Sequence, residues 1–194
     1  QLLFAPRFMT DMKGGGAENL QLGGLAMYEK KFSDRLIVGF GTMYNQEFFG
    51  PYLVPIVNIN WLVSERFSIS GLLPVYAKIR YHVSEKFNMG ISHFGLTTSF
   101  GLNDDDYADD YLERQSIDLA LFGNYRLANN FYLEARIGQS MSRCYKQYSS
   151  TDKVDFAMPL ATFGDERELK NVQFEDGMFA ELRIIYSIPI PEEE

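Results

Sequence analysis

Cysteine is all but absent from this chain. Cys144 stands alone, so no internal disulfide can form and thiol content says nothing about the redox compartment. Histidine is nearly as scarce. His82 and His93 are the only two, and neither has a cysteine or acidic ligand at a useful spacing, which argues against a zinc site. Positive charge is the minority sign, with 18 Lys and Arg against 26 Asp and Glu and a net charge of −8. A chain with no basic surplus offers no electrostatic footprint for nucleic acid. Long apolar runs are missing too, and no stretch approaches the roughly eighteen residues of a transmembrane helix. The chain starts with Gln1 rather than Met, with no charged-then-apolar leader before the first strand-like run. A processed or truncated secretory product would begin this way.

Aromatic side chains, by contrast, are plentiful: 16 Phe, 12 Tyr and one Trp make up 15% of 194 residues. Mean hydropathy is nonetheless −0.19, so apolar and polar residues are interleaved at short range. They alternate. Phe131, Leu133, Ala135 and Ile137 share one parity, while Tyr132, Glu134, Arg136 and Gly138 share the other. Val75 to Val83, Ser116 to Leu121 and Met178 to Ile188 repeat the pattern. A period of two belongs to strands with unlike faces, and no helical periodicity competes with it.

Short polar turns fall at Ser33-Asp34, Ser64-Glu65, Ser84-Glu85 and Ala128-Asn129-Asn130, with longer links over 13–18, 46–52, 102–111 and 147–172. Strands are therefore predicted over 2–12, 19–32, 35–46, 53–63, 66–73, 75–83, 86–101, 112–127, 131–146 and 173–190. This spacing implies a single all-β domain over 1–194, a closed antiparallel up-and-down barrel of about ten strands. Short turns would gather at one end and long loops at the other. Residues 66–83 read as a tight hairpin or as one strand kinked at Pro74, and a parity change within 86–101 predicts a β-bulge near Ser92-His93.

Alternation alone does not say which face is wet. A soluble lipocalin-like barrel would bury the apolar face around an apolar ligand, whereas an outer-membrane barrel turns that face to lipid. The polar face here mixes small residues (Gly39, Gly41, Ser92, Gly138, Ser140) with amides (Asn58, Asn60, Asn124) and charges of both signs. That mixture suits a crowded interior where charges pair. Aromatics near strand ends, among them Tyr28, Phe32, Trp61, Tyr81, Tyr125, Phe131 and Tyr186, match the girdles of a membrane barrel.

The run from Leu73 to Ser84, followed by Lys86-Phe87-Asn88-Met89-Gly90, resembles a family of uncharacterised outer-membrane β-barrel proteins of Gram-negative bacteria. The patterns at Tyr111-Leu112, Gly123 to Leu127 and Ile137 to Ser140 are similar to that family's later hairpin. The resemblance covers about residues 35–190. It implies an outer-membrane location and a barrel, with no activity assigned. The ending Ile188-Pro189-Ile190-Pro191-Glu192-Glu193-Glu194 departs from the terminal aromatic of many such barrels.

Lys78, Arg80, Asp118, Arg126, Glu134, Arg136, Glu181 and Arg183 form the candidate lumen cluster, either an ionic plug or a lining that selects solutes. About eight strands make a barrel filled by side chains, which favours the plug. The acidic run Asp104 to Asp110 offers hard-cation oxygens but lacks EF-hand spacing, and reads as a solvated loop tip. Ser92-His93 or Ser99 with an aspartate would be needed for a barrel-embedded hydrolase, and no nucleophile motif accompanies them. Cys144 lies between Arg143 and Lys146; Gly14-Gly15-Gly16 reads as a flexible turn and Glu192 to Glu194 as an acidic tail. The expectation is a small outer-membrane protein with neither enzymatic activity nor cofactor. Its partner is the lipid bilayer, and its long loops serve a structural or interaction role. A periplasmic or secreted barrel for an apolar ligand is the alternative, with a narrow channel and a hydrolase behind it.

Overall fold

The computed structural model describes residues 1–13, 16–107, 109–172 and 174–188. In chain order the strands are β1 (Leu2–Phe4), β2 (Arg7–Phe8), β3 (Leu20–Gln21), β4 (Gly23–Ser33), β5 (Leu36–Glu47), β6 (Gly50–Leu62) and β7 (Phe67–Leu73). They continue with β8 (Tyr76–His82), β9 (Phe87–Gly101), β10 (Asp110–Ala128), β11 (Phe131–Ser149), β12 (Phe156–Met158), β13 (Ala161–Phe163) and β14 (Gly177–Tyr186). Twelve of them form one sheet. Its main path runs β1-β4-β5-β6-β7-β8-β9-β10-β11-β14, each neighbour antiparallel, while β2 and β3 make a separate ribbon.

The sheet is all-β, antiparallel and up-and-down, but it does not close into the expected barrel. Among the described residues no ladder joins β1 to β14. Residues 2–12 do not form one long strand: β1 sets Leu2, Leu3 and Phe4 opposite Ala26, Leu25 and Gly24 of β4. The chain then leaves the sheet at Ala5-Pro6, where proline has no N–H to give a ladder, and β2 pairs with β3 in a separate ribbon instead of continuing along the sheet.

The open sheet is strongly rolled all the same. Strands β8 and β11 stand three steps apart on the path, roughly 14 Å if flat, yet Lys78 Nζ lies 2.6 Å from Glu134 Oε2. Ser99 Oγ on β9 donates to Glu47 Oε2 on β5 at 2.7 Å, four steps away. Rolling gives the two parities opposite fates. Leu121, Ile137, Leu182 and Ile184 are 62%, 54%, 69% and 73% exposed on the outside, while Glu134 is 2% exposed within. The apolar core lies at one end, where Phe49, Tyr52, Val54, Ile56, Tyr111 and Tyr148 pack with Val154 and Ala157 of the segment after β11.

The connections differ from expectation in detail. Residues 66–83 form a hairpin, β7 to β8, turning at Pro74-Val75. The supposed long link at 46–52 is a two-residue turn, Phe48-Phe49, because β5 and β6 pair up to Glu47 and Gly50. Both tight turns therefore share an end with the loops at 102–109 and 150–176, and the expected segregation of turns is only partial. Within the last loop, β12 and β13 form a hairpin that touches β6 at Ala157 and Tyr52. The bulge expected near Ser92-His93 is absent, since β9 holds one register against both neighbours. It appears instead between Gln115 and Ile117, opposite Ser142, whose φ is +51°. The predicted strand at 173–190 shortens to β14; Gln173, residues 189–190 and the Glu192 to Glu194 tail lie outside the described residues, as do Gly14 and Gly15.

A Cβ added at Gly90 would fall 1.9 Å from the carbonyl oxygen of Ile79 on β8, whereas at Gly123 it would meet only Phe87 ring carbons from 3.4 Å. Gly90→Val is expected to lower stability by about 1–3 kcal/mol through overpacking, and Gly123→Ala to leave it nearly unchanged. Urea unfolding midpoints of the two variants check this; equal midpoints would contradict the β8–β9 register.

Candidate functional site

Two charged assemblies sit inside the roll. The first is built by cross-strand register on β11 and β14, which sets Glu134 opposite Arg183 and Arg136 opposite Glu181. Arg136 Nη1 donates to Glu181 Oε2 at 2.9 Å, and Arg183 Nε to Glu181 Oε1 at 2.5 Å. Glu134 receives Lys78 from across the interior, with Arg183 Nη1 at 3.9 Å on its other oxygen. Lys78 also stands 4.3 Å from the centre of the Phe122 ring. Burying a carboxylate as deeply as Glu134 is tolerable only with such partners. The remaining candidates do not join: among the described residues Arg80, Asp118 and Arg126 make no ion pair, and Arg80 Nε is buried without a hydrogen-bond partner.

The second assembly went unseen in the sequence. Residues 150–172 cross the end of the roll as a strap, and Arg167 on that strap carries a side chain only 4% exposed. Its Nη1 donates to Glu113 Oε2 at 2.7 Å and to Tyr111 Oη at 3.1 Å; Nε and Nη2 grip Asp165 at 2.8 and 2.9 Å. The guanidinium carbon lies 4.2 Å from the centre of the Tyr148 ring. Burial alone would lower the Arg167 pKa, but these bonds to Asp165, Tyr111 and Glu113 raise it above its ordinary value, and Arg167 stays charged. Hydrogen bonds from Arg167 in turn hold the Asp165 carboxyl below its usual 3.8. A cavity of about 260 Å³ lies against Glu113 and Arg167, walled by Tyr52, Thr97 and Gln115 and roofed by the β12–β13 hairpin.

Beside it, Glu47 is fully buried. It takes Arg7 from β2 at 2.7 Å, and it accepts the Ser99 N–H at 2.9 Å and the Ser99 hydroxyl. Ser99 is thus an anchor point for β5, β9 and the N-terminal ribbon. His93 Nε2 contacts the carbonyl oxygen of Pro74 at 2.8 Å, and Ser92 Oγ reaches only the Ala120 carbonyl, so neither serine meets a histidine. Asp104 pairs with Lys13, and among the described residues no three metal-type ligands cluster. Cys144 is buried, its sulfur 3.9 Å from Gln115 Oε1.

Arg167 sits in Asp165-Glu166-Arg167-Glu168, a charge run that by itself reads as solvated. The sole hint was Tyr111 and Glu113 sharing a parity at the mouth of a strand, without any sign of their partner.

Arg167→Met leaves Glu113 buried without a cation and is expected to cost about 3–5 kcal/mol, with Glu113→Gln restoring most of it in the double variant. Limited proteolysis within 150–172 and unfolding midpoints would measure both. Asp165 has a lowered folded pKa, so its contribution is present above about pH 4 and is lost as pH falls through the folded value. Strap cleavage by an acid-active protease should be flat from pH 7 to 5 and rise only below pH 4.

Comparison with curated proteins and with solved structures finds no match to either. A family model does match, over residues 3–179, from β1 to the first turn of the pleat in β14. Its description names a domain of unknown function and says nothing of an outer membrane or of Gram-negative origin, so the resemblance narrows to the family itself. The chain belongs to the DUF6268 family.

Proposed function

We propose that this protein is an outer-membrane protein of a Gram-negative cell, non-enzymatic, whose rolled sheet turns its outer face to the lipid bilayer and presents the strapped end for structural or interaction duty. The observation that carries the reading is the content of the outward positions. On β10 they run Ile117, Leu119, Leu121, Gly123, Tyr125, Leu127; on β11 Phe131, Leu133, Ala135, Ile137, Gln139, Met141; on β14 Met178, Ala180, Leu182, Ile184, Tyr186. No charge interrupts them, though half or more of many of these side chains is exposed. A sheet facing water would carry Lys and Glu there.

The span fits as well. Each uncharged stretch covers about ten residues, close to the 9–11 that cross a bilayer when tilted. Phe32, Trp61, Tyr81, Tyr125, Phe131 and Tyr186 are exposed near the turn end of their strands, where aromatic rings prefer the bilayer–water interface. Lys30, outward on β4, lies over the Phe32 ring beside that same end. Among the described residues no helix is long and apolar enough to cross a membrane.

Leu121→Arg or Ile184→Arg is expected to cost about 2–4 kcal/mol at the bilayer midplane and to abolish insertion into lipid vesicles, while Leu127→Arg at the rim is tolerated. Flotation of refolded protein with vesicles is the measurement. A wild-type chain that remains monomeric in plain buffer and never floats would overturn the reading in favour of a soluble protein.

A further inference from the structure

The cavity of about 260 Å³ under the strap has two unlike surfaces. Its roof is apolar, made by Ala157, Met158, Pro159 and Ala161 of the β12–β13 hairpin, with the exposed Leu160 as its outer lip. Its floor is polar and belongs to the roll itself: Tyr52 on β6, Thr97 on β9, and Glu113 and Gln115 on β10. At about 30 Å³ per water, such a space takes several waters or one compact organic molecule.

The hydrogen-bonding capacity of that floor is only partly used. Glu113 gives Oε2 to Arg167 at 2.7 Å, and its Oε1 accepts nothing among the described residues. Gln115 Oε1 takes the weak Cys144 S–H donor at 3.9 Å, and its Nε2 donates to no described residue. Neither free atom is buried out of reach of water, as Thr98 Oγ1 is one residue further along β9. The Tyr52 and Thr97 hydroxyls bond each other, which leaves one O–H hydrogen free between them.

The floor therefore offers one charged acceptor and two neutral donors within a single small space. A plain ammonium would satisfy Glu113 and turn positive charge toward both donors. An anion would meet Glu113 with like charge. A hydroxyl group both donates and accepts, and a ring of hydroxyls with an apolar C–H face matches a polar floor beneath an apolar roof. We infer that this cavity binds a small ring polyol of monosaccharide size, its hydroxyls on Glu113, Gln115 and Tyr52 and its C–H face under the β12–β13 hairpin. The site lies within the strapped end, so its chemistry is independent of what the outer face of the roll meets.

The test uses the full chain in a polyoxyethylene detergent, which brings no sugar. D-glucose, D-galactose and myo-inositol are the probes, followed by saturation-transfer NMR and calorimetric titration. Cyclohexanol and cyclohexylammonium, which keep the ring without its set of hydroxyls, serve as comparators. Saturable binding of one equivalent is expected for at least one polyol, with both comparators about tenfold weaker or more. Tyr52→Phe and Gln115→Met conserve the volume of the site and should each weaken the polyol about fivefold, the loss of one neutral hydrogen bond. Ala161→Phe should fill the cavity and abolish binding. No saturable binding by any of the three polyols would overturn the assignment. So would a comparator that binds as tightly as the best polyol, or wild-type affinity in both conservative variants. A chain that binds a polyol in plain buffer and never floats with vesicles would overturn the membrane reading and leave this one standing.

Discussion

The interior of a rolled sheet is a confined space of low dielectric, and a carboxylate buried in it as deeply as Glu47, Glu113 or Glu134 must find a cation. That requirement organises the molecule. Glu134 draws Lys78 across from a strand three places away, Glu47 gathers β5, β9 and the N-terminal ribbon, and Glu113 holds the strap through Arg167. An ion pair of this kind adds little net stability over apolar packing, but losing one partner is severe, so the pairs act chiefly to specify which walls meet. On β10, β11 and β14 the apolar parity, relieved of the interior, is left outside.

The two ends of the roll are held by different means. At the turn end the strands are joined by short connections and the Phe131 and Tyr186 rings lie 4.9 Å apart at the last rung of β11 and β14. At the other end the closure is tertiary: the β12–β13 hairpin, the aromatic cluster around Tyr111 and the buried guanidinium of Arg167 lie over one another. Low pH loosens this second end, because the carboxylate of Asp165, held below its usual pKa by Arg167, helps to hold the strap.

Local rules were legible from the sequence, long-range ones were not. Alternation placed β5, β8, β10 and β11 within a few residues, since a period of two needs no knowledge of neighbours. The Glu134–Arg183 and Arg136–Glu181 pairs were foreshadowed by opposite charges on one parity of adjoining strands. Lys78 was grouped with them by type only; its meeting with Glu134 depends on how tightly the sheet rolls. Phe48-Phe49 misled because two aromatics in a tight turn look like a loop, whereas they fold down as part of the core. Closure was overestimated because Ala5-Pro6 was read as the middle of a strand, although proline's missing donor ends β1 there.

Strand β14 pairs with β11 along one side, and among the described residues no strand lies along its other. A fringe of amides without acceptors has no place in hydrocarbon, where each orphan costs several kcal/mol. Within a bilayer that flank would have to meet water or another backbone, leaving lipid to the arc from β5 to β11.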